Sequence, residues 1–125
     1  MKISLNDILK SRTALVILNN TKFKSAVAYK IMKNLKTIAE EEKLYEKQRI
    51  KICKEFSNKD NEGNIVIVDG KYDIPEERKS EYLAEIEELK NVVVDIPITK
   101  ITLEEIEGAM LSPAQLDSVE YMLET

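Results

Sequence analysis

The chain has 125 residues, enough for one domain with a modest core. Its 19 Lys and Arg against 23 Asp and Glu leave a net charge of −4, and it holds no Trp, no His and a single Cys. Those counts exclude an internal disulfide, remove the commonest general base and the commonest transition-metal ligand, and disfavour an aromatic platform for single-stranded nucleic acid.

Ile3-Ser4-Leu5-Asn6-Asp7-Ile8 reads as a helix start. Ser4 can accept from the free amide of Asp7, Asp7 complements the positive helix end, and Ile3 and Ile8 are spaced as a hydrophobic staple. Leu5, Ile8, Leu9, Leu15 and Val16 continue an apolar face to about Leu18, with Ala14–Leu18 readable alternatively as a short strand. Asn19-Asn20 breaks the pattern, and Thr21 is placed to cap a second, longer helix. This opening lacks the apolar block and small-residue cleavage site of a signal peptide. No apolar run approaches the roughly 20 residues of a membrane helix.

Phe23 to Phe56 contains neither proline nor glycine and predicts one long helix over about 22–57. Ile31, Leu35, Ile38, Glu42, Tyr45, Arg49, Ile52 and Phe56 fall on alternating four- and three-residue steps, a narrow heptad-like seam. The seam looks too long for one short helix to cover, so these eight residues are candidates for a self-association surface. Glu42 and Arg49 would be polar positions that fix its register. The same helix carries Lys22, Lys24, Lys30, Lys33 and Lys36 before its first acid, Glu40. Cations at a helix N-terminus are unfavourably placed, so these five lysines are a candidate site for an anion or an acidic partner. The alternative is a solvated face opposite the seam.

Ser57–Asn64 is a polar loop. Ile65–Val68 and Lys71–Ile74, joined by Asp69-Gly70, predict a tight hairpin. Asn58, Asp60, Glu62, Gly63, Asn64, Ile65 and Asp69 match the spacing of a calcium loop, but Asp69 is short for the final ligand and a turn comes next instead of a helix. The hairpin reading is preferred. Pro75-Glu76-Glu77 opens a third helix with Tyr82, Leu83, Ile86 and Leu89 on its buried face, ended by Asn91. Val92–Ile98 is a strand, placed at an edge by Pro97. Two further capping boxes, Thr102 with Glu105 and Ser112 with Gln115, predict two short helices.

The predicted order is α-α-β-β-α-β-α-α in an α+β fold, one domain over 1–125 with an acidic α/β portion over about 64–125. Charge is split along the chain: residues 1–60 hold 14 basic and 7 acidic side chains, residues 61–125 hold 5 and 16. The halves either face each other or present opposite patches to partners. There is no phosphate-cradling glycine loop, and Cys53 without a His is a poor nucleophile. It reads as a buried thiol in a reducing, cytoplasmic setting. No catalytic residue, metal or cofactor is expected.

Three stretches resemble a family of small, uncharacterised proteins of Gram-positive phages and prophages. They are Lys2–Leu9, then Val27-Ala28-Tyr29-Lys30-Ile31 entering the charged helix, then Ile96-Pro97-Ile98 to Ile101 with Leu111–Leu116 and the final acidic segment. The resemblance spans nearly the whole chain, although its motifs are caps and core patterns. It implies a non-enzymatic accessory role, virion- or assembly-associated, exerted by binding another phage or host protein in the host cytoplasm or on the virion. A counter-defence role is the alternative, blocking a host immune protein or sequestering a nucleotide through the lysine-rich helix. A homo-oligomer is expected, and a membrane is not.

Overall fold

The computed structural model describes residues 1–124. A single helix, α3 (Ser25–Phe56), spans the molecule, and shorter elements wrap it. It begins slightly later than its composition predicts. Lys24 occupies the N-cap without a side-chain bond, so Thr21 is not its cap. Thr21 instead ends the preceding helix, its hydroxyl donating to the Ile17 carbonyl. Lys22 and Lys24 therefore precede the long helix rather than riding on it.

The opening segment is not one helix. It is strand β1 (Lys2–Ser4) followed by α1 (Leu5–Lys10) and α2 (Arg12–Asn20). Ser4 caps α1 by accepting from the Asp7 amide at 3.1 Å. The break falls at Ser11, which is fully buried. Its hydroxyl donates to the Ile8 carbonyl at 2.7 Å and lies 2.9 Å from the Tyr121 hydroxyl. A serine bonding its own backbone competes with the helix ladder, and Tyr121 holds it in that state. Leu5, Ile8 and Leu15 are buried as predicted, but Val16 points to solvent.

After α3, β2 (Ile67–Val68) and β3 (Lys71–Tyr72) form the hairpin, shorter than predicted. Asp69 and Gly70 both have positive φ, 52° and 77°, as the right-handed strand twist demands of a two-residue turn. A 3-10 turn (Glu76–Arg78) leads into α4 (Lys79–Lys90), capped at Asn91. Tyr82, Ile86 and Leu89 are half-buried, whereas Leu83 is exposed, contrary to expectation. Indeed no residue of α4 is buried.

Strand β4 (Val93–Asp95) pairs antiparallel with β1, Ile3 opposite Val94. Among the described residues it pairs with β1 alone; the strand predicted over Val92–Ile98 shortens to three residues, and Pro97 lies beyond its end. Thr102 and Glu105 do form a reciprocal capping box, at 2.9 and 3.1 Å. Yet residues 103–109 remain turns, since one turn ahead of Gly108 is too short to repay helix nucleation. The second box caps a real helix, α5 (Pro113–Ser118), and a 3-10 turn (Glu120–Met122) comes after it.

The core gathers Ile3, Ile8, Leu18, Ile101 and Met122, from the two ends of the chain, around Ile38 in the first two-thirds of α3. Ile31, Ile38, Tyr45, Ile52 and Phe56 of the seam are buried by the chain's own elements, and Leu35, Glu42 and Arg49 are half-buried. Most of the seam is thus covered within the chain, by α1 and α2 along one part and by α4 along the other, while Leu35, Ile38 and Glu42 also line an open groove with Arg12, Leu15 and Val16. Near its far end Phe56 meets the Tyr82 ring edge-on at 6.2 Å, with the Arg78 guanidinium 4.4 Å from its centre.

Candidate functional site

Buried charge and hydrogen bonding first separate structural groups from available ones. Asn34, buried beside the seam, is a clip: its Nδ2 donates to the Thr99 carbonyl and its Oδ1 accepts from the Thr99 amide, both at 2.8 Å. That bond fixes the Ile96–Ile101 segment across α3. Glu42 pairs with Arg12 at 3.2 Å, and Arg49 with Glu46. The two polar seam positions thus close local ion pairs.

Of the five lysines, Lys30 alone is drawn inward. Its Nζ donates to Glu105 at 2.8 Å, and this bond, then the Thr102 amide, holds the Glu105 carboxyl below its ordinary range. This is the one place where the lysines of the basic half meet the acidic half in an ion pair, among the described residues. Lys22, Lys24, Lys33 and Lys36 remain exposed. Lys33 lies 5.8 Å over the Tyr29 ring, a cation–π contact. Lys33, Lys36, Thr37 and Glu40 also line a shallow depression of about 310 Å³ against Pro97 and Thr99.

The outward face of the first half of α3 is therefore Tyr29, Met32, Lys33 and Lys36, with Tyr29 59% and Met32 55% exposed. The lysines were legible from composition. Tyr29 and Met32 were missed, because helical spacing alone does not reveal which face the rest of the chain leaves uncovered.

Elsewhere the chemistry is structural. Cys53 is buried, its Sγ 3.6 Å from Arg49 Nη1 and 3.5 Å from the Tyr82 hydroxyl, which this contact and burial push up to about 12. In the loop with calcium-like spacing, the Asp60 carboxylate accepts from the Glu62 and Asn64 amides at 2.9 Å, and Asn58 binds Asp73. These bonds build the hairpin approach, and among the described residues no three acidic or thiol groups converge as a metal set would. The carboxyls of Glu46 and Glu105 are both held low by basic partners, the opposite of what a general acid near neutrality needs. A groove of about 890 Å³ runs along β1 beside α5 and mixes Lys2, Lys10 and Lys100 with Asp7, Asp117 and Glu120. Lys100 is spent there on the Tyr121 carbonyl.

Comparison with protein-family models gives no match, and neither does comparison with curated proteins or with solved structures. No helix among the described residues is long and apolar enough to cross a membrane.

Proposed function

We propose that the protein is a non-enzymatic phage or prophage accessory protein that works by docking on another protein, associated with the virion or its assembly. The observation that carries the binding reading is the outward face of α3. Lys33 and Lys36 there have no ion-pair partner among the described residues, and they surround the exposed Tyr29 and Met32. Aromatic and Met side chains are enriched where proteins meet, and uncompensated lysines favour an acidic partner. The phage or prophage assignment, with action in the host cytoplasm or on the virion, rests on the resemblance of Lys2–Leu9, Val27–Ile31 and Ile96–Leu116.

Counter-defence is the alternative, and its nucleotide-sequestering form would use the depression that Lys33 and Lys36 line together with Glu40 and Thr99. Charge reversal belongs at Lys33 and Lys36, because Lys30 is occupied by Glu105 and its loss would disturb the fold. The test is affinity capture from phage-infected cells, with mass spectrometry of captured proteins and small ligands. A phage structural protein retained by the native chain and lost with Lys33→Glu/Lys36→Glu supports the first role. A host immune protein or a nucleotide lost in the same way supports the second. Capture indifferent to these lysines overturns both.

A further inference from the structure

The charge split along the chain is not resolved inside the fold. Lys30–Glu105 is the one ion pair between a lysine of the basic stretch and the acidic half, among the described residues. The exposed acids of α4, Glu81, Glu85, Glu87 and Glu88, form no ion pair among the described residues. They also cannot reach the lysine face of the same chain. Glu85, Glu88 and Leu89 share a groove with Gln48 and Ile52. From Met32 to Gln48 the helix runs about 24 Å at its rise of about 1.5 Å per residue. Exposed lysines thus ride the first half of α3, and an exposed acidic face on α4 flanks its second half, where α3 also carries the exposed Lys47, Lys51 and Lys54.

We propose that these two faces are complementary docking surfaces and that the protein assembles head to tail, the lysine face of one copy against α4 of the next. The occupant is a second copy because charge, relief and burial all match. The basic face raises two large side chains, Tyr29 and Met32, between lysines. Helical spacing puts Ser80 and Ala84 of α4 one turn apart on its outer face, a low strip between Leu83 and Glu87 on one side and Glu81 and Glu88 on the other. Large side chains of one helix pack into such a strip on another. Leu83 is 58% exposed and no residue of α4 is buried, so this helix has apolar surface to gain from a cover.

Dipoles add a second reason. Lys22 and Lys24 stand at the positive end of α3, and Glu87 and Glu88 lie in the last turn of α4, its negative end. Lys90 offsets part of that charge in the last turn of α4, and the opposite face of a neighbour would relieve the remainder at both helix ends. The contact joins two different surfaces, so its repetition yields a ring if the rotation closes and an open chain if it does not. The proposal rests on reading the lysine face as a docking surface, and it moves assembly from the seam to the outside of the molecule.

The test is sedimentation velocity of the purified chain across micromolar concentrations, from about 0.01 M to about 1 M salt, where the screening length falls from about 30 to about 3 Å. The expected result is a mass above the 14.4 kDa of one chain at low salt, returning to it at high salt. Lys33→Glu/Lys36→Glu and Glu81→Lys/Glu87→Lys/Glu88→Lys are each expected to be monomeric at low salt with unchanged circular dichroism. Mixed, they are expected to associate again, because the first keeps the native α4 and the second keeps the native lysine face. A chain monomeric throughout, assembly that persists at high salt, or a mixture that stays monomeric overturns the proposal. Capture of a different protein through the lysine face would survive each of those outcomes, so the two readings fail separately.

Discussion

Asn34 illustrates what a single buried polar side chain can hold. It satisfies both backbone groups of Thr99, and no other described residue fixes the Ile96–Ile101 crossing over α3 in that way. Asn34→Ala leaves an amide and a carbonyl without partners and should destabilise the fold by about 2 to 4 kcal/mol, read from urea denaturation. Titrating groups set the pH limits. Glu105, by its bond to Lys30, and Glu46, by its bond to Arg49, have folded values below the ordinary 4.5. Their stabilisation is complete above that value and is lost as pH falls through the depressed ones. Tyr121, raised above 10 chiefly by burial, works in the other direction: its contribution is present below 10 and is lost as pH rises through the raised value. The thermal midpoint should therefore fall at both extremes. Lys30→Met should flatten the acid limb and Tyr121→Phe the alkaline one, as seen by calorimetry across pH.

At the scale of elements, local chemistry succeeds where its target is long enough or independently supported. The Ser112–Gln115 box caps α5, and Ser112→Ala should cost about 1 kcal/mol in chemical denaturation. The Thr102–Glu105 box has the same reciprocal bonds and yields only turns. There Glu105 serves tertiary structure instead, tying the turn to Lys30. Asp69-Gly70 specifies its hairpin because both positions need positive φ. The strands it joins are short and largely exposed, so the turn, not packing, holds them.

For the whole molecule, the seam of α3 decides between a folding core and an assembly interface. Ile38 is 2% exposed and packs in the same core as Ile8, Leu18 and Ile101. Ile38→Ala should destabilise a single chain by about 2 to 5 kcal/mol, independent of protein concentration, in denaturation curves at two concentrations. A seam used between protomers would give a concentration-dependent loss instead. The exposed lysines of α3 and the uncovered outer side of α4 lie outside that core.

Much of this was readable in residue order. An unbroken run without proline or glycine specified α3, Ser4 and Ser112 specified helix starts, and Asp69-Gly70 specified a turn, because each depends on backbone chemistry within a few residues. The lysines of the candidate site were legible for the same reason, as a run before Glu40. Tertiary contact decided the remainder. Strand β1 exists because Val93–Asp95, from the far end of the chain, is there to pair with it. The helix breaks at Ser11 because Tyr121 meets that hydroxyl. The seam became interior because α1, α2 and α4 fold back onto it, which a heptad pattern cannot distinguish from a partner helix. Lys30 was removed from the available lysines by Glu105, while Tyr29, Met32 and Leu83 were left exposed. Periodicity records which residues share a face, and only the path of the rest of the chain determines what covers it.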